Sequence, residues 1–435
     1  VLTQAELDVQ TLGECTVPSP LHLASDEPGF PYVSDAARVE LSVEPRADGE
    51  PELTLERAGP RERLFFRPAT TRAAILTTGG LCPGLNNVVR SMVLELHHRY
   101  GVRDILGVRY GFEGLTPSGE PPLRLTPDVV ADIHRMGGSF LGVSRGKQDA
   151  RVMADVLERE RVDVLFVIGG DGTLKGAHAI AQELLRRKAP IAVVGVPKTI
   201  DNDVSFVDKT FGYETAVEMA RQAVDAAHAE ATGARNGIGV VKLMGRDSGF
   251  VAATCTLASE DVNFCLVPEV PFTLEGPGGL LAALERRVAD RGHAVVVVAE
   301  GCGAALAGAN VERDASGNVR YASAEADIGP RLRDAITAHF KAAGRPATVK
   351  YIDPSYMIRS VRANATDAVY ASALARNAVH AGLSGRTDLL IGRMHRLFTH
   401  VPLPLATREK KRIDPRGELW RTVIGTTGQG PLTSR

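Results

Sequence analysis

Four short runs of β-branched and apolar residues constrain this chain more than anything else in it: VDVLFVIGG (162–170), IAVVGV (191–196), GIGVVKLMG (237–245) and HAVVVVAEG (293–301). Each is too short for a buried helix and too continuously apolar for a strand with one wet face, so each reads as a strand buried on both sides. Segments with helical periodicity separate them: ARVMADVLERE and IAQELLRRK before the first two, TAVEMARQAVDAAHAEA and LLAALERRVADRG before the others. Upstream, AAILTT (73–78) and DILGV (104–108) read as strands, VVRSMVLELHHRY as a helix, and PDVVADIHRM as a helix behind Pro127, where the missing N–H costs nothing. Strand–helix alternation of this kind is an α/β architecture of mainly parallel sheets covered by helices. Ligands in such folds gather at the carboxyl ends of the strands.

The remaining composition narrows function mostly by exclusion. A formal net charge of -1 over 435 residues provides no basic field for nucleic acid and no polybasic anchor for a membrane. No apolar run approaches the roughly 20 residues that span a bilayer. The first residues, VLTQAELDVQ, form neither a charged leader nor an apolar signal core, so a cytoplasmic protein is expected. Five cysteines, odd in number and without CxxC spacing, argue against zinc and against a disulfide framework. Residues 1–72, rich in Pro, Asp and Glu, read as an N-terminal extension.

Four strand ends carry chemistry. Thr78-Gly79-Gly80-Leu81-Cys82-Pro83-Gly84 is a glycine loop between strand and helix, suited to close backbone contact with a phosphate. Gly169-Gly170-Asp171-Gly172-Thr173 is a second, with Asp171 placed to hold a divalent cation. Taken alone this loop is equally a plain strand-to-helix connection. Neither has GxGxxG spacing or the lysine signature of a P-loop. Third comes Pro197-Lys198-Thr199-Ile200-Asp201-Asn202-Asp203, whose two carboxylates can divide the work of general base and metal or donor orientation, although Asp-Asn-Asp is also an ordinary turn. In the fourth, Met244-Gly245-Arg246-Asp247-Ser248-Gly249, the arginine can fork onto a phosphate or simply lie on the surface. Together, two glycine loops, an acid pair and an arginine suit phosphoryl transfer to an alcohol.

GGLCPGLN, IGGDGT, PKTIDND, VKLMGRDSGF, the Glu300-Gly301 strand end and KYIDPSYMIR, in that order, resemble the 6-phosphofructokinase family. The resemblance implies two Rossmann-like lobes: a nucleotide lobe at 73–212, a sugar-phosphate lobe at 213–357, and a segment 358–435 crossing back. It implies transfer from ATP, with Mg²⁺, to the 1-hydroxyl of fructose 6-phosphate, in a homodimer or homotetramer. By position, Asp201 would be the base, with Asp203 beside it near the metal and Thr199 adjoining. Asp171 would hold Mg²⁺. Gly80, Gly146, Gly170, Gly172, Thr173 and Lys175 would contact the nucleotide, and Arg145 would lie between donor and acceptor phosphates. Thr199, Ile200, Asp201, Met244, Gly245, Arg246, Glu300, Lys350, Tyr356 and Arg359 would take the sugar phosphate.

The phosphoryl donor turns on two positions. In the family the residue after GGD is Gly in ATP enzymes and Asp in pyrophosphate enzymes, where the carboxylate occupies the space and repels the charge of the α-phosphate. Gly172 therefore implies ATP, whereas Lys198 is typical of pyrophosphate enzymes. The Gly/Lys combination resembles the plant and trypanosomatid ATP-dependent subgroup. A pyrophosphate enzyme, or a non-catalytic regulatory subunit of the same fold, is the alternative. Lys350 and Gly237 stand where familiar bacterial enzymes place two arginines from a neighbouring subunit. Arg90 and Leu94 stand at their two effector-site arginines, so activation by a nucleoside diphosphate is not expected.

Overall fold

The apolar runs become the middle strands of two sheets in the computed structural model, which describes residues 2–21, 31–44, 52–144, 146, 148–303, 312–313, 319–320 and 327–433. The chain clusters into two units: 1–199, 204–212 and 360–410 form the first, and 200–203, 213–359 and 411–435 the second. Among the described residues no helix is long and apolar enough to cross a membrane.

The first unit holds a nine-stranded sheet. Five strands at its centre run parallel, in the order Leu389–Met394, Ala192–Pro197, Val164–Gly169, Arg72–Thr77 and Asp104–Val108. Every residue of Val164–Gly169 is buried, as its uninterrupted apolar run requires. Register sets where the loops emerge. Gly169 lies beside Pro197 and Ile168 beside Thr77, so both glycine loops and Lys198 leave the sheet at one rim.

Residues 1–72 contribute to the opposite edge, where Thr54–Arg57 pairs antiparallel with Leu397–Pro402 and Arg38–Glu40 pairs with Thr54–Arg57. An ionic cluster built around buried Glu56 fastens them there. Glu56 Oε1 accepts from Arg61 Nη2 at 2.8 Å and from Arg386 Nε at 2.7 Å, and Arg386 Nη2 donates to Asp35 Oδ1 at 2.6 Å. Burial by itself would push the Glu56 carboxyl up, yet His400, Arg386 and Arg61 together hold it down at about 2.

One element differs from its sequence reading. The segment behind Pro127 forms turns and a single 3-10 turn, Ile133–Arg135, rather than a helix. Only Val130 and Ile133 of its apolar residues are buried, too few to hold a helical stripe. The Asn86 amide captures the neighbouring stretch, donating to the Met136 carbonyl at 3.1 Å and accepting from Phe140 N at 2.8 Å.

Buried His380 shares a 2.7 Å hydrogen bond with Tyr100 Oη, and burial, with Arg376 and Arg61 nearby, holds its imidazole down at about 3. The folded protein keeps this ring neutral at pH values where the unfolded chain takes up a proton. Stability is therefore lost as pH falls from about 6.5 towards 3. Between pH 7 and pH 5 this histidine is expected to cost about 2 kcal/mol. His380→Gln should flatten that slope in thermal unfolding measured across the interval.

The second unit has a parallel four-stranded sheet in the order Phe264–Leu266, His293–Ala299, Gly237–Leu243 and Thr348–Ile352. Leu243 and Ala299 are partners in register, so Met244 and Glu300 leave the sheet side by side.

Candidate active site

In the first unit, the strand Val164–Gly169 passes through Gly170 into the helix Asp171–Arg187. Gly169 is obligatory, because a Cβ there would lie 2.2 Å from Thr173 Cγ2. A Cβ on Gly172 would meet nothing within 4 Å, and the same holds for Gly80 in the neighbouring loop. The helix N-terminus therefore faces open space bordered by backbone that anions can approach closely.

Lys198, 5% exposed, donates from its ammonium to the Gly80 carbonyl. A Cβ on Gly79, which has φ +87°, would lie 3.5 Å from that ammonium and 3.6 Å from Thr173 Oγ1. Lysine, hydroxyl and glycine backbone thus converge on one small volume. Asp171 stands at the mouth, paired with Lys175 Nζ at 3.0 Å and about a quarter exposed. Thr199 is buried, and its carbonyl accepts from Thr210 Oγ1 at 2.7 Å. Gly146 sits at φ +125° with nothing within 4 Å of a would-be Cβ. Arg145 lies outside the described residues.

In the second unit, buried Asp201 presents Oδ2 3.7 Å from Arg246 Nε. Arg246 sits at φ 49°, strained for a residue with a side chain, and its loop is clamped from three directions. Glu300 Oε1 accepts from Arg246 N at 2.9 Å and from Gly245 N at 3.4 Å. Ser248 Oγ lies 3.1 Å from the Gly245 carbonyl and 3.1 Å from that of Asp201, joining the arginine loop to the acid loop. Gly301 packs so closely that a Cβ would lie 2.0 Å from the Arg246 carbonyl. Met244, Gly245, Arg246, Glu300 and Asp201 are therefore brought together, with buried Ile200 and Asp203 on the same loop as Asp201.

Two expected contacts fall elsewhere in the second unit. Lys350 is in register with Gly239, four residues before the strand end at Leu243, and its ammonium is 3.6 Å from Glu230. Tyr356 is 75% exposed on the short helix Ser355–Ser360, with the Arg359 guanidinium 4.8 Å from its ring centre. That helix follows a strand anchored by buried Lys242, which reaches Asp327 at 2.8 Å and Asp353 at 2.9 Å. Burial would lower the Lys242 ammonium, but the two carboxylates raise it overall.

Sequence reasoning misses two supports. Lys411 donates from Nζ to Asn202 Oδ1 at 3.2 Å and from its backbone to the Asp203 carbonyl at 3.0 Å, holding Asn202 at φ 54°. Glu269 Oε1 accepts from Gly249 N and from Ile413 N, both at 3.1 Å. Lys411 and Ile413 lie over a hundred residues from the positions they are tied to, and leave no local pattern to find.

The profile of the phosphofructokinase family matches residues 72–382. An ATP-dependent 6-phosphofructokinase of Borreliella burgdorferi is 47% identical over 436 residues, covering 98% of this chain and 97% of its own. A chloroplastic ATP-dependent 6-phosphofructokinase of Arabidopsis thaliana is 43% identical over 418 residues, covering 93% and 77%. The crystal structure of a pyrophosphate-dependent phosphofructokinase from Nitrosospira multiformis superposes with a TM-score of 0.67 over 83% of this chain and 92% of that one. At 20% identity that last likeness speaks for the fold alone.

Proposed function

From the premise that this chain belongs to the phosphofructokinase family, we propose that it transfers the terminal phosphoryl group of ATP to the 1-hydroxyl of fructose 6-phosphate, giving fructose 1,6-bisphosphate and ADP. The observation that carries the reading is the buried Asp201 carboxylate held beside Arg246 on two loops stitched together by Ser248. Such a carboxylate takes the proton of the attacking hydroxyl. The sugar oxygen then bonds to phosphorus, the bond from phosphorus to the bridging oxygen breaks, and ADP leaves. Arg246 and the backbone clamped by Glu300 hold the sugar phosphate, with Met244, Gly245 and Ile200 adding contacts.

The glycine rim of the first unit takes the nucleotide phosphates. The open space at Gly172 and Gly80 leaves room for a chain of three, with Gly170, Thr173 and Lys175 along it. Mg²⁺ fits this rim. Asp171 would hold it, a single carboxylate sufficing for an ion that is ordinarily bound by one or two carboxylates together with substrate phosphates, where no cluster of three metal-binding side chains exists among the described residues. When bound, it neutralises phosphate charge. In the same reading Asp203 would help to orient it. Arg145, which the family places between the two phosphates, completes the assignment.

Pyrophosphate as donor is the second reading, favoured by Lys198 alone. A coupled assay with fructose 6-phosphate separates the two: turnover is expected with ATP, and none above background with pyrophosphate. The reverse result would overturn the donor assignment. A homodimer or homotetramer in the cytoplasm completes the proposal, and a monomer by light scattering would remove its oligomeric part.

A further inference from the structure

The second unit contains a cavity of about 470 Å³ that neither rim uses. Leu266, Val270, Phe272, Trp420, Ile424 and Leu432 supply its largely apolar walls. One wall is the end of the strand Phe264–Leu266 and the segment after it, and the other is the helix Glu418–Thr427 with the chain beyond it.

The two walls are tied at their edges. The Gln429 amide accepts from Cys265 N at 2.6 Å and donates to the Cys265 carbonyl at 3.2 Å, as a paired strand would. Farther along, the Leu432 carbonyl accepts from Thr273 N at 2.7 Å. Protein interiors are close-packed, so walls held apart around a space of this size define a volume suited to a small molecule. Among the described residues no carboxylate lines it. Its one cation, exposed Arg421, makes no side-chain hydrogen bond or ion pair among the described residues.

We propose that this cavity is an effector site for a small aromatic monocarboxylate, its ring against Trp420 and Phe272 and its carboxylate on Arg421. The effector role rests on the proposed binding of sugar phosphate at the Arg246 loop. Val270 and Phe272 continue directly from Glu269, which holds the backbone of Gly249 behind that loop. On the other wall, Pro415 comes just after Ile413, also held by Glu269, and Lys411, which holds Asn202 and Asp203. Occupancy that shifts either wall therefore moves a support of the Asp201 or Arg246 loop.

The chain has a single tryptophan, so its fluorescence reports this cavity directly. With 3-phenylpropionate as probe, a saturable change in Trp420 emission is expected, with the KM for fructose 6-phosphate moving about fivefold or more and kcat little changed. The neutral analogue 3-phenylpropanol should bind about tenfold more weakly. Arg421→Gln should erase that preference, and Ile424→Phe, which fills the cavity, should erase both responses. No saturable emission change, or one unaltered in Ile424→Phe, would overturn the site. A change in emission without a change in KM would overturn its effector role. Absence of turnover in the unliganded enzyme would instead defeat the catalytic reading, leaving the fluorescence titration to decide the cavity.

Discussion

Asp201→Asn is expected to lower kcat by roughly 10²- to 10⁴-fold while leaving the KM for fructose 6-phosphate within a few-fold of the parent. The amide has the shape of the carboxylate but cannot take a proton from the sugar hydroxyl, so the loss falls on the chemical step. The surroundings should survive the exchange. Ser248 bonds the Asp201 backbone carbonyl, not its side chain, and the Arg246 loop is pinned separately by Glu300. Lys411 likewise holds the Asp203 carbonyl from the other side. Coupled-assay kinetics with thermal unfolding of both proteins would make the distinction. Undiminished kcat would assign the base to another residue, and a large drop in unfolding temperature would mean that Asp201 is chiefly structural.

Gly172→Asp should abolish most use of ATP without unfolding the protein. A Cβ added there meets nothing within 4 Å, and the position is in the first turn of a helix, where a carboxylate is favoured by the helix dipole. The added side chain also enters the space proposed for the nucleotide phosphates. Two unit charges about 4 Å apart near a protein surface repel by up to about 4 kcal/mol, so a fall of roughly 10²- to 10³-fold in kcat/KM for ATP is expected. Unfolding temperature should remain unchanged or rise slightly. If ATP kinetics are untouched, the phosphates do not pass this glycine.

Much of this was legible from residues alone because it depends on local pattern. Continuous apolar runs bounded by glycine have few solutions other than buried parallel strands, and Val164–Gly169, Gly237–Leu243 and His293–Ala299 took that form. The glycine loops were equally readable: Gly169 stands where Thr173 leaves no room for a Cβ, and Gly172 where space is left open. PDVVADIHRM failed the same logic, since its helical spacing had only two apolar residues to bury and Asn86 captured the chain beyond it.

What the sequence determined by itself was the alternation of strand and helix, the chemistry stationed at each strand end, and so the family. Only the tertiary structure decided which of those ends share a rim, that Lys350 falls short of one, that Lys411 braces a loop far from it in the chain, and that Glu269 joins Gly249 to distant Ile413. The division has a physical cause. Secondary structure arises from contacts a few residues apart, which periodicity records, whereas register and long-range hydrogen bonds join positions tens to hundreds of residues distant, whose pairing no local spacing encodes.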